Sequence, residues 1–257
     1  MRSIALVPVA ATLSAFAALS MAWAQSPGEQ PARADELSVE CRVPASELFV
    51  PAALPRVAAT VAARDALTVL AIGGAQRQSA MQGQSVVPYP ERLEKGLEGA
   101  LHVEVSVTAR RLREITARAG DTVMSAVGEV SPELVVWQVG TNDALAHADI
   151  ASFSEALDEL LKWLRSHEID VILIEPPYTS ALAGDQHFAD LVQAIDDFSK
   201  RNGVALVRRS NAMRYLEQRS KQVEHDRFEM QNRAYHCTPE HVSELVKLSL
   251  AAEPPKQ

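Results

Sequence analysis

Five short runs rich in β-branched residues, almost continuously apolar except for the alternating Val103 to Val107, constrain the fold of this chain more than any other feature: Leu67 to Ile72, Val103 to Val107, Leu134 to Val139, Val171 to Ile174 and Val204 to Val207. A strand with one wet face alternates apolar and polar residues, so an unbroken run of this kind marks a strand buried on both faces. Between the runs lie segments with helical spacing, Pro90 to Leu101, Leu112 to Val130, Ile150 to His167 and Phe188 to Asn202. Strand then helix, repeated, predicts an α/β fold, a three-layer α/β/α sandwich whose five-stranded parallel sheet has right-handed crossovers. Further helices are expected at Ala45 to Arg64, at Ser210 to Arg219 and at Pro239 to Ala251, the last with Thr238 as N-cap and Pro239 at the first helical position. In an open sheet of this type ligands bind beyond the carboxyl ends of the strands, so the loops there are where chemistry is to be sought.

The two ends of the chain read differently from its centre. Residues 1–24 carry Arg2, an apolar run from Ile4 to Leu19 and the small-x-small site Ala22-Trp23-Ala24, which predicts a secretory signal peptide cleaved before Gln25. The run is short for a membrane span and contains Pro8. No other stretch is apolar enough to cross a bilayer, so no stable membrane insertion is expected after cleavage. Residues 25–36, rich in Gln, Pro, Ala, Glu and Asp, read as a disordered leader, residues 37–252 as a single domain, and residues 253–257 as a flexible tail. The expected location is periplasmic or secreted. Losing Arg2 with the signal takes the formal charge from -8 to one unit more negative, which disfavours nucleic acid as a partner. The two cysteines, Cys41 and Cys237, would meet in an oxidising compartment and are predicted to pair.

Val139-Gly140-Thr141-Asn142-Asp143 directly follows the third strand, and a strand followed by Gly-x-Asn-Asp resembles the third conserved block of the SGNH/GDSL hydrolase family. The resemblance covers about residues 41–251. It is strongest to exported bacterial members, whose pattern includes an early cysteine, a segment like Trp137 to Asn142 and a late Tyr-x-Cys like Tyr235-His236-Cys237. It implies the flavodoxin-like SGNH hydrolase fold and, in active members, ester hydrolysis of the esterase, lipase or acetylesterase type without a cofactor.

Carried over residue by residue, the resemblance makes Asn142 the side-chain donor to the oxyanion and places Gly73, Gly74, Gly140 and Tyr178 around the substrate. The nucleophilic serine falls on Ala75. A methyl group can neither be deprotonated nor attack a carbonyl. The second block, which supplies a glycine N–H, falls near Thr108 to Arg113, where there is no glycine. The last block, Asp-x-x-His, has two placements. On Asp226-Arg227-Phe228-Glu229 the orienting aspartate Asp226 is kept and Glu229 stands where the base histidine would be; on Arg233-Ala234-Tyr235-His236 the base is kept and its carboxylate has become arginine.

The expected function is therefore that of a pseudoenzyme, an exported SGNH hydrolase-like protein that keeps a pocket for a small acylated saccharide or envelope ligand. The alternative is an active ester hydrolase with displaced machinery, Ser79 as nucleophile or Asp226 with Glu229 activating water. A purely structural role with a vestigial pocket is the third reading. Other features have simpler readings: Glu155, Asp158 and Glu159 with Lys162 and Arg165 as a solvated helix face, Arg208-Arg209 and Arg110-Arg111-Arg113 as solvated surface or an anion site, and Trp163 as core. His236 and His241 lie five apart with no cysteine cluster, so no metal is expected.

Overall fold

The computed structural model describes residues 37–73, 87–178, 182, 184–220 and 227–251, with the backbone alone for 219–220 and 227–235. All of them belong to the unit Ala32–Gln257. The expected signal peptide, leader and tail lie outside these residues, as do Gly74, Ala75, Ser79 and Asp226.

Six strands form one sheet: β1 (Phe49–Val50), β2 (Leu67–Gly73), β3 (Val105–Arg111), β4 (Leu134–Gln138), β5 (Asp170–Ile174) and β6 (Ala205–Val207). Their order is β1-β6-β5-β4-β2-β3. The pairs among β2 to β6 are all parallel, as the five apolar runs require. The sixth strand is the addition. β1 lies antiparallel to β6, with Phe49 opposite Val207, and it arises because Ala45 to Arg64 is not one helix but α1 (Ala45–Leu48), the strand, and α2 (Pro55–Ala63). Pro51 and Pro55 explain the break: each lacks an N–H for an interior helical bond and pushes its predecessor toward extended backbone.

Two other boundaries differ from expectation. α3 (Tyr89–Leu101) is followed by β3, but the segment from Leu112 begins as extended chain, with Leu112 N–H donating to Gly73 O at 3.0 Å. A 3₁₀ turn, Thr116–Arg118, precedes α4 (Gly120–Val130). After α5 (Thr141–Leu145), α6 (Ile150–Ser166), α7 (Gln186–Asn202) and α8 (Arg209–Ser220), the last helix, α9, runs unbroken over Arg227–Ala251. Thr238 and Pro239 therefore lie inside it rather than at its start. Packing overrides the local signal here. Ser243 Oγ donates to Pro239 O at 2.9 Å, and a side chain at Gly96 of α3 would come within 2.6 Å of Ser243 Oγ, so the two helices meet backbone to side chain.

The sheet is dry on both faces. Leu70, Ile72, Val135, Trp137 and Leu173 pack against Val123, Leu157, Leu164 and Ile195 of α4, α6 and α7. Their alternates Val69, Ala71, Leu134, Val136 and Ile172 pack against Val57, Leu93, Leu97, Val242 and Leu245 of α2, α3 and α9. Asp149 caps α6 by accepting from Ser152 N–H at 2.8 Å, and Asp185 caps α7 through Phe188 N–H at 3.2 Å, each worth about 1 kcal/mol. Cys41 and Cys237 are both fully buried and form a disulfide across 196 residues, joining the 3₁₀ turn Val39–Cys41 to α9. Among the described residues no helix is long and apolar enough to cross a membrane.

Candidate active site

The carboxyl ends of β2, β4, β5 and β6 bring together the residues on which the resemblance places chemistry. Gly73 ends β2 hard against the last residue of β4: a Cβ there would lie 2.7 Å from Gln138 Cβ. Gly140, just past β4, adopts φ +79°, a left-handed conformation in which a side chain would be strained. Its Cβ would also approach Ile195 Cδ1 to 2.9 Å and Pro176 Cδ to 3.5 Å. Glycine is needed at both positions for close approach, so the two turns can share one end of the sheet.

The Gly-Thr-Asn-Asp segment that follows is a clamp on the loop after β3. Asn142 Nδ2 donates to Leu112 O at 3.2 Å and to Glu114 O at 2.9 Å, which uses both amide hydrogens. Asp143, 2% exposed, accepts from Thr116 N–H and Thr116 Oγ1, each at 2.9 Å. The stretch Thr108 to Arg113 thus runs along the edge of the sheet and is pinned at its end. Its Arg111 is in register with Gly73.

Beneath these turns lies a buried polar layer. Arg209, 2% exposed, donates through Nε to Glu175 O at 3.0 Å and through a terminal nitrogen to Gln138 Oε1 at 3.1 Å. Glu175 is fully buried; one carboxyl oxygen accepts from Ser210 N–H at 3.0 Å, while Ser210 Oγ donates to Pro176 O at 2.6 Å. Burial pushes the Glu175 carboxyl up to about 8, against the lowering pull of the Ser210 N–H, and Asp196 adds to the rise. Burial thus favours its neutral form. Tyr89, at the start of α3, is raised to about 12 by burial, with Arg209, Gln138 and Arg92 opposing.

The pair Arg208-Arg209 is thus not solvated surface. Arg208 donates to Asp196 Oδ1 at 2.6 Å and to Ser46 O at 2.9 Å, holding α1 and α7 to the end of β6. What sequence reasoning missed is that Gln138, Glu175 and Arg209 form one buried layer; they share one signal, a polar residue at the end of an apolar strand. Arg110 pairs with Glu129 at 3.0 Å. Trp163 packs partly buried against the core and stacks on His167 with centroids 4.2 Å apart.

Tyr178, four residues past β5, is half-buried against the same core; burial and the nearby Glu217 carboxylate raise its phenol. Of the two placements of the last block, Glu229 lies in the first turn of α9. His236 lies two turns further on, and Arg92 donates to its Nδ1 at 2.9 Å and to its carbonyl at 3.1 Å. Since guanidinium only donates, His236 Nδ1 must accept. The neutral ring then carries its proton on Nε2, which faces Glu40 at 3.9 Å. A ring held in that tautomer has no free lone pair with which to act as a general base. Among the described residues no group of His, Cys, Asp or Glu is arranged to hold a metal.

Solved structures similar to this one are hydrolases. The lipase/acylhydrolase from Enterococcus faecalis superposes with a TM-score of 0.56 at 18% identity, covering 74% of this chain and 100% of its own. TesA superposes with a TM-score of 0.51 at 18% identity over 69% of this chain and 99% of its own. A two-domain esterase active on acetylated mannans gives 0.58 at 11% identity over 82% of this chain, which spans 58% of that protein. At such identities the likeness establishes the fold. No curated protein sequence matches the chain. The model of the non-GDSL lipase-like family matches residues 40–251, almost the whole of the described unit. The chain therefore belongs to the non-GDSL lipase-like family, a branch of the SGNH/GDSL hydrolases.

Proposed function

We propose that this protein is an exported SGNH/GDSL hydrolase-like protein that has lost acyl transfer and retains a pocket for an acylated saccharide or envelope ligand. One observation carries the reading: the position of the family's serine is occupied by Ala75, which has no atom able to form an acyl-enzyme. The base position has changed with it, to Glu229. Stripped of its triad, a serine hydrolase keeps only about 10³ to 10⁴ over water, supplied by binding and the oxyanion hole. Here both amide hydrogens of Asn142 serve carbonyls of the protein itself, which supports a further loss. Export is supported by the signal-like pattern of residues 1–24 and by the buried Cys41–Cys237 bridge.

The test pairs two measurements on the purified protein. Nitrophenyl acetate should be hydrolysed no faster than in buffer, and calorimetry with acetylated mannan oligosaccharides, the ligand class named for one structural relative, should show binding without turnover. Hydrolysis that disappears in Glu229→Ala would overturn the reading and establish displaced machinery. Absence of heat across acetylated saccharides and envelope fragments would remove the ligand.

A further inference from the structure

A groove of about 540 Å³ opens directly beside Asn142. Its lining carries two guanidinium side chains, Arg113 and Arg118, together with the apolar residues Ile115, Leu145 and Ala146. Leu145 is 73% exposed. A single exposed leucine is ordinary, but this one shares a concave surface with two cations. Among the described residues neither arginine side chain has an ion-pair or hydrogen-bond partner, whereas Arg110, a few residues away, is taken by Glu129. Glu114 also borders the groove, and its carboxylate turns to the backbone N–H of Arg113 at 3.0 Å. Two arginines against one glutamate leave the groove net positive in a chain whose formal charge is -8.

The groove is also held in shape. The Asn142 bonds to Leu112 O and Glu114 O, and the Asp143 bonds to Thr116, fix the loop that carries both arginines. A ligand therefore meets a surface that needs little ordering on binding. Guanidinium is the side chain best matched to carboxylate and phosphate oxygens.

We propose that this groove binds an amphipathic anion, with its carboxylate or phosphate group between Arg113 and Arg118 and its apolar chain along Leu145. The proposal rests on the reading of the site as one that binds rather than turns over, and it narrows the ligand to an acyl or alkyl compound with a negative head.

The test is calorimetric titration of the full-length protein with octanoate, octyl phosphate, neutral octyl glucoside and inorganic phosphate, all below micellar concentrations. Octanoate and octyl phosphate should bind, more weakly as salt rises, and the better of the two identifies the head group. Arg113→Gln with Arg118→Gln should weaken both by about tenfold or more with unchanged thermal unfolding, since both side chains are exposed. Leu145→Ser should weaken the octyl compounds only. The proposal is overturned if octyl glucoside binds as well as the anions, if inorganic phosphate matches octyl phosphate, if the arginine variant binds normally, or if neither anion binds. Acetylated mannan binding that survives the arginine variant would leave the broader reading standing; turnover of nitrophenyl acetate would remove that reading while leaving anion binding to be judged by its own titration.

Discussion

At the scale of single residues, the site is defined by polar groups that already have partners. Asn142 and Asp143 spend their hydrogen-bonding capacity on the loop after β3. Asp143→Ala would leave Thr116 N–H buried and unpaired, and should lower unfolding free energy by roughly 1 to 3 kcal/mol in denaturant titration. The same bonds bear on restoration. The double substitution Ala75→Ser, Glu229→His should remain silent toward nitrophenyl acetate, because the amide proposed to serve the oxyanion already donates to Leu112 O and Glu114 O; measurable turnover would show that Asn142 releases its carbonyls. Glu175 predicts a pH effect with a definite sign. Its folded-state pKa, about 8, lies above the ordinary value of 4.5, so its contribution to stability is complete below pH 4.5 and is lost as pH rises through 8. Glu175→Gln, neutral at every pH, should flatten that loss, a difference on the order of a few kcal/mol between pH 5 and pH 9, read as the change in denaturation midpoint.

At the scale of elements, the central strands and the helices α3, α6, α7 and α8 were legible, whereas the helices expected at Ala45 to Arg64, from Leu112 and from Pro239 have other bounds. The β2 and β4 runs announce themselves because both faces of each strand are dry, which leaves only Thr68 and Gln138 as polar residues in them. Edge strands escape this signal: β1 is only Phe49–Val50, and β3 carries Thr108 to Arg111 at its carboxyl end because its outer side meets solvent. Pro51 and Pro55 were readable as breaks in Ala45 to Arg64, yet helical spacing outweighed them. Pro239 misled in the other direction. It looks like a helix start, but α9 is held through it by contacts with α3 and by the bridge to Cys41. The glycine turns and Asn142 were legible as motif; the buried layer of Gln138, Glu175 and Arg209 was not, since a charged residue at a strand end reads as surface until the covering helix α8 is placed. The disulfide acts at this scale too. In the chain-entropy model, closing so long a loop stabilises by about 5 kcal/mol at most, so Cys41→Ala with Cys237→Ala should lower the thermal midpoint without changing the far-ultraviolet circular dichroism of the folded state.

At the scale of the whole molecule, the proposal is that a hydrolase scaffold is kept while its reactive centre is replaced. The fold matches TesA and the lipase/acylhydrolase from Enterococcus faecalis over nearly their whole length, and the turns that would surround a substrate are tight enough to require Gly73 and Gly140. On the proposed reading, what differs is chemistry at two positions, Ala75 and Glu229, together with the occupation of the Asn142 amide. Such a molecule should bind without breaking bonds, and the most direct trial is covalent trapping. After incubation of the unmodified protein with a fluorophosphonate, intact mass spectrometry should show the mass of the polypeptide alone; a stable adduct of one phosphonyl group would contradict the account.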